Sequence, residues 1–178
     1  MAFHVMGTGS ARPEHVVTND DLSRFLDTDD EWISSRTGIS SRRCCTTETC
    51  SDLAEAAARA ALDNAGVAAG ELDLIICSTI TADDLTPSCA AVVQERIGAS
   101  CPAFDLNAAC AGFVFALDVA HGYFARGAAK RVLVVSAEKM SRMVDWTERS
   151  VSVLFGDGAG AVVLGAGGES PLYTKLTT

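Results

Sequence analysis

A chain of 178 residues is long enough for one substantial core or two small domains, and 48% apolar residues with 15 glycines and only 4 prolines describe a globular protein. A formal net charge of −9 argues against a nucleic-acid reader, which needs a basic face, yet leaves room for a local arginine cluster that binds a small anion. Seven cysteines, an odd number with Cys77, Cys89 and Cys101 inside apolar runs, read as reduced thiols rather than a disulfide framework.

The opening MAFHVMGTGS lacks the basic start and long apolar stretch of a signal peptide. No apolar run approaches the roughly 20 residues of a membrane span, so a soluble cytoplasmic protein is expected. Phe3–Gly7 reads as the first strand. Thr28–Gly38 reads as a short helix with a capping box, in which Thr28 is the N-cap, Glu31 reaches back and Gly38 is the stop. The alanine-rich Cys50–Gly66 is a helix closed by its glycine. Leu72–Ile80 is a buried strand, and Pro87–Gly98 is a helix begun by proline and closed by glycine. Ala103–Asn107 is another short strand. From Cys110 onward, Phe113, Val114, Leu117, Ala120 and Phe124 recur at helical spacing, in a helix apolar on most faces as a central element is. Arg131–Glu138 and Ser150–Gly156 read as strands, and Gly158–Gly167 as a last strand after a glycine turn. Strands alternating with helices, unbroken by linker or repeat, predict one α/β domain with a mixed, largely parallel sheet.

Within this pattern, NAACAGF (Asn107–Phe113) places a thiol where a strand gives way to a helix. A lone cysteine is more often a small buried hydrophobe. At this junction, however, Cys110 faces the unpaired N–H groups and positive end of a helix, a field that favours thiolate. The same N–H groups can hold the oxyanion formed when a thiolate attacks a carbonyl. Ala108, Ala109, Ala111 and Gly112 leave space for a substrate, which suits an acyl-thioester nucleophile. Trp32 and Arg36, four apart, project from one helix face. An indole beside a guanidinium can stack on a purine and pair with phosphate; the plainer alternative is a surface cation–π pair without a ligand.

GTGSARPEHVVTN, DTDDEWISSRTGI, CPAFDLNAACAGF and FGDGAGAVVL together identify a resemblance that runs through essentially the whole chain. The chain resembles the N-terminal half of the β-ketoacyl-acyl-carrier-protein synthase III family, condensing enzymes of the thiolase-fold superfamily. The resemblance implies that residues 1–178 form an N-terminal thiolase-like domain. It implies that Cys110 takes an acyl group from acyl-CoA and that condensation with malonyl-acyl-carrier protein follows, starting fatty-acid synthesis with no cofactor. By the same resemblance Thr28, Trp32 and Arg36 bind the nucleotide end of CoA, and Arg149 lies on the other side of the adenine. Thr86 matches the residue that closes the acyl-pocket end across a homodimer interface. A phenylalanine there goes with short primers, so the smaller threonine implies a more open pocket. The family's catalytic His and Asn belong to the second half of the fold. This chain, read as a fragment or one part of a split enzyme, is therefore expected to need a second polypeptide for condensation.

The remaining motifs carry less. GDGAGA (Gly156–Ala161) is followed by a β-like run, not the helix a dinucleotide loop requires, so its glycines read as a tight strand connection. Arg42–Cys45 with Cys50 lacks paired metal-ligand spacing and reads as a mobile surface segment, and no metal is expected. His4, His15 and His121 stand in no motif, with His121 read as a core or rim residue. Two alternatives compete with the synthase reading: a secondary-metabolism condensing enzyme of the same type, and a non-catalytic partner subunit. The intact NAACAGF counts against the latter, and slow, unselective labelling of Cys110 would favour it.

Overall fold

A computed structural model describes residues 3–168. The Tyr173–Thr178 stretch, near which the second half was expected to begin, lies outside them. Seven strands and six α-helices are present among the described residues: β1 (Phe3–Ala11), β2 (Val16–Thr18), α1 (Asn19–Ser23), α2 (Asp30–Thr37), β3 (Ser41–Arg43), α3 (Cys50–Ala65), β4 (Leu74–Ser78), α4 (Cys89–Ile97), β5 (Ala103–Leu106), α5 (Gly112–Ala125), β6 (Arg131–Lys139), α6 (Arg149–Ser152) and β7 (Asp157–Ala166). Five strands form one sheet in the order β1-β7-β6-β4-β5, and β2 pairs separately with β3. β4 is parallel to β5 and β6, while β7 runs antiparallel to both β6 and β1. Four of the five strands therefore point the same way, and the sheet is mixed but largely parallel.

The central strands are apolar on both faces, as a sheet covered on both sides must be. Ile75, Cys77, Leu133, Val135 and Val163 pack against α3 and α4, whereas Leu74, Ile76, Val132, Val134 and Leu164 pack against Ala116, Ala120 and Phe124 of α5. The alanine stripe of α3 lets that helix sit almost on the backbone of β1. A Cβ at Gly9 would lie 2.3 Å from the Ala57 carbonyl oxygen, so only glycine fits there. A third cluster, Leu22, Leu26, Ile33 and Val153, joins α1 and α2 to α6. Carboxylates tie off the helix starts: Asp83 accepts from Cys50 N and Ser51 N at the head of α3, and Asp105 from Cys89 N and Ala90 N at the head of α4.

Several local expectations are corrected. Thr28 is not the cap of α2: Asp29 is, its carboxylate accepting from Trp32 N at 2.6 Å, while Gly38 ends the helix in the left-handed region as expected. Pro87 precedes α4, whose N-cap is Ser88. Ser150–Gly156 is not a strand. Glu148 accepts from Ser150 N to start α6, and Val153 turns into the third cluster, so tertiary burial overrides the alternating pattern. The glycines of GDGAGA do not make a turn, because Gly158 and Gly160 lie inside β7 and Gly160 pairs with Ser10 and Ser136 on its two sides. Nor is the Arg42–Cys45 segment a mobile surface: β3 pairs with β2, and Arg42 and Cys44 are buried.

Candidate active site

Cys110 does not open α5 but sits on the 3-10 turn Ala109–Ala111 between β5 and that helix. The turn is strained, since Ala109 takes a φ of 47°, a region costly for a residue with a Cβ. Ala111 occupies the N-cap position of α5 and supplies no side-chain acceptor, so the helix start beside the thiol is left without a side-chain cap. Gly112 brings the turn hard against the end of β4, where a Cβ would meet Ser78 Oγ at 1.9 Å. All seven cysteines are free, and Cys110 alone is exposed. Burial pushes the Cys44, Cys45 and Cys101 thiols up, Cys45 to about 12 with the Asp157 carboxylate adding to the effect.

Beside Cys110 lies a cavity of about 450 Å³ walled by Ile80, Phe113, Met140 and Phe155, with Ser78, Ser136 and Glu138 as its polar members. It opens at the carboxyl ends of the parallel strands β4 and β6, where open α/β sheets bind ligands. Sequence reasoning missed Glu138. Its carboxylate accepts from Ile80 N at 2.9 Å and from Thr81 Oγ1, fixing the segment after β4 that forms one wall. Nothing in the local sequence marked it, because the contact joins β6 to the segment after β4, some 58 residues away in the chain.

A second region gathers at α2. The Arg36 guanidinium lies 4.5 Å from the Trp32 ring centroid, and that of Arg149, brought by α6, lies 4.4 Å from it. Arg149 also donates to the Asp27 carbonyl at 2.6 Å. Thr28 immediately precedes this helix, and its buried Oγ1 makes no hydrogen bond among the described residues. A shallow pocket of about 240 Å³ lies against Trp32, Ser35 and Arg36. Of the six residues singled out from sequence, the structure thus brings Trp32, Arg36 and Arg149 together and places Thr28 next to their helix. Cys110 stands at the other cavity, yet Phe155 and Gly156 of that cavity come shortly after α6, so the stretch from Arg149 to Gly156 borders both places. Thr86 lines neither cavity and is exposed on the loop before α4, next to the fully exposed Leu85. Among the described residues no group of three His, Cys, Asp or Glu side chains could hold a metal, and no helix is long and apolar enough to cross a membrane.

The profile of 3-oxoacyl-[acyl-carrier-protein] synthase III matches residues 104–177, a span that includes the Cys110 turn. A β-ketoacyl-[acyl-carrier-protein] synthase III of Vesicomyosocius okutanii is 55% identical over 97% of this chain. The chain is a homologue of the β-ketoacyl-[acyl-carrier-protein] synthases III. It spans about half the length of the curated relatives it matches, 55% in the Vesicomyosocius case. The crystal structure of 3-oxoacyl-[acyl-carrier-protein] synthase III from Aquifex aeolicus superposes with a TM-score of 0.92 at 48% identity, covering 94% of this chain and 55% of that one. The priming β-ketosynthase of the R1128 polyketide pathway gives a TM-score of 0.89 at 42% identity, covering 96% and 51%. These thiolase-like structures share the mixed, largely parallel sheet described above.

Proposed function

We propose that the chain is the nucleophile-bearing, N-terminal thiolase-like half of a synthase that primes fatty-acid synthesis. The observation that carries this reading is the exposed Cys110, held on a strained turn at the mouth of an apolar cavity while the other six thiols stay more covered. The Cys110 thiolate attacks the thioester carbonyl of acyl-CoA, the C–S bond to CoA breaks, and CoA leaves as the thiol with the acyl group on Cys110. Malonyl-acyl-carrier protein then loses CO2, and its carbanion attacks the acyl carbonyl. The Cys110–acyl bond breaks, releasing the thiolate and a β-ketoacyl-carrier protein. Thr28, Trp32, Arg36 and Arg149 hold the CoA nucleotide, and no cofactor takes part.

The decarboxylation step relies on the His and Asn that the resemblance places in the half of the relatives this chain does not span. Each oxyanion-type donor is worth about 2.7–4 kcal/mol, so without two of them condensation falls by several powers of ten. Condensation therefore needs the second half of the fold, and it takes place in a homodimer in which the exposed Leu85–Thr86 loop reaches the partner's acyl pocket. The test is malonyl-dependent condensation by the 178-residue chain with and without a polypeptide covering the second half of a relative. Turnover only with both, abolished by Cys110→Ser, supports the reading, and turnover by the chain alone overturns the division of labour. The likeness to the R1128 priming ketosynthase favours one second reading, a secondary-metabolism condensing enzyme of the same chemistry. Acyl-CoA profiling of the reconstituted enzyme separates the two.

A further inference from the structure

Arg42, which no part of this chemistry uses, is only 6% exposed. Its hydrogen-bond acceptors are all uncharged: Nη1 donates to the Val17 carbonyl at 3.1 Å, and Nη2 to Asn19 Oδ1 at 2.8 Å and to the Val153 carbonyl at 3.2 Å. A guanidinium buried against neutral acceptors is costly for stability, and desolvation lowers its pKa accordingly. Asn19, 1% exposed, passes the connection on, donating from Nδ2 to Asp30 Oδ1 at 2.7 Å, Ser34 Oγ at 3.3 Å and the Ile39 carbonyl at 2.7 Å. Asp30 and Ser34 belong to α2, which carries Trp32 and Arg36. Val153 is the C-cap of α6, which carries Arg149. A continuous hydrogen-bonded path, buried at Arg42 and Asn19, therefore runs from one arm of the Trp32 cluster to the other. The apolar cluster of Leu22, Leu26, Ile33 and Val153 also joins these elements, but apolar packing is non-directional, whereas a planar guanidinium with three acceptors sets distance and orientation.

We infer that Arg42 and Asn19 are positioning residues that fix the spacing of α2 and α6, and with it the width of the cleft in which Trp32, Arg36 and Arg149 grip the nucleotide of CoA. The inference rests on the nucleotide reading above. A buried cation retained without a carboxylate acceptor fits a geometric role better than a gain in stability.

A double-mutant cycle on the affinity of the 178-residue chain for free CoA, measured by titration calorimetry, tests it. Arg42→Lys keeps the charge but loses the fork that spans three acceptors. It is expected to weaken CoA about tenfold in the wild-type background, equivalent to about 1.4 kcal/mol, and less than about twofold when Arg149→Ala has already removed the arm it positions. Asn19→Ser, a smaller change that cuts the link to α2, should repeat the pattern if Arg42→Lys fails to fold. The alkylation rate of Cys110 by iodoacetamide, unchanged in every variant compared, certifies the rest of the fold. Equal losses in both backgrounds mean a structural role only and overturn the positioning pair. No CoA binding by the wild type, or Trp32→Ala binding as tightly as wild type, overturns the nucleotide reading itself, and the two failures are thereby distinguished.

Discussion

The guanidinium of Arg149 rests 4.4 Å from the centre of the Trp32 ring, over an indole that Arg36 approaches at 4.5 Å from within α2. A base between Arg149 and Trp32 needs van der Waals contact with each, a separation of roughly 7 Å at about 3.5 Å per contact. On the proposed CoA reading, binding therefore lifts Arg149 from the indole. Trp32→Ala should weaken CoA by about 1–2 kcal/mol, the scale of a base–aromatic stack. Arg36→Ala should add a loss that shrinks as salt rises, because its proposed contact with phosphate is ionic, whereas Arg149→Ala, which removes a stacking partner of the base, should cost affinity with little salt dependence. Calorimetric titration at low and high salt checks both, and unchanged affinity for Trp32→Ala removes the assignment.

The contact between Gly112 and Ser78 gives a prediction independent of any ligand. Gly112→Ala puts a methyl group 1.9 Å from Ser78 Oγ and 3.2 Å from Ser78 Cβ, so the hydroxyl must rotate away and the contact between β4 and the turn carrying Cys110 must yield by a few tenths of an ångström. Overpacking of this kind costs about 1–3 kcal/mol, and iodoacetamide should alkylate Cys110 at an altered rate. Ser78→Ala in the same chain should recover part of both effects, since the hydroxyl is the nearest atom. Denaturant unfolding and timed alkylation read the two quantities. A Gly112→Ala chain as stable and as reactive as wild type contradicts the geometry.

Much of this site was legible in sequence, and the exceptions share one physical cause. NAACAGF marked the thiol turn because small residues and a strand-to-helix switch are local features. Trp32 and Arg36 were legible because four residues apart means one helical face. Asp29 displaced Thr28 as the cap because either residue type can cap, and it is the Asp29 carboxylate that accepts from Trp32 N. Ser150–Gly156 read as a strand because its β-branched alternation is real, yet Val153 is claimed by a cluster built from the other end of the chain. Glu138 and Arg42 stayed hidden because their partners lie far away in sequence: Glu138 holds Ile80 and Thr81, and Arg42 holds Val153.

Asp83 should make the fold acid-sensitive. Burial works to raise its pKa, but the hydrogen bonds it accepts from Ser51 and Cys50, with Arg142 nearby, outweigh that and hold the carboxyl below its usual range. A folded pKa below the unfolded one means stabilisation fully present above the unfolded value of about 3.9 and lost as pH falls through the folded value. Asp83→Asn should thus cost about 0.5–2 kcal/mol at neutral pH, the scale of a helix cap, with the deficit narrowing below about pH 4. Urea unfolding across that range tests the sign. A deficit that stays constant into strong acid rules the linkage out.

Thr86 offers a test of primer length. It lies outside the Cys110 cavity of its own chain, and the proposed homodimer is what brings it to the pocket of a second copy. In the reconstituted dimer Thr86→Phe should shift acylation toward shorter primers, each excluded methylene costing about 0.8 kcal/mol of burial. Wild-type rates that fall steadily from acetyl- to octanoyl-CoA, or a Thr86→Phe profile identical to wild type, contradict an open pocket end at this position.

The central claim is that Cys110 receives the acyl group, and intact-mass and peptide-mapping spectrometry of the chain mixed with a polypeptide covering the second half of a relative and an acyl-CoA tests it most directly. The account predicts one acyl mass increment, located on the peptide containing Cys110, lost in Cys110→Ser and discharged when malonyl-acyl-carrier protein is added. An increment on any of the six other cysteines, or none while condensation proceeds, would contradict it.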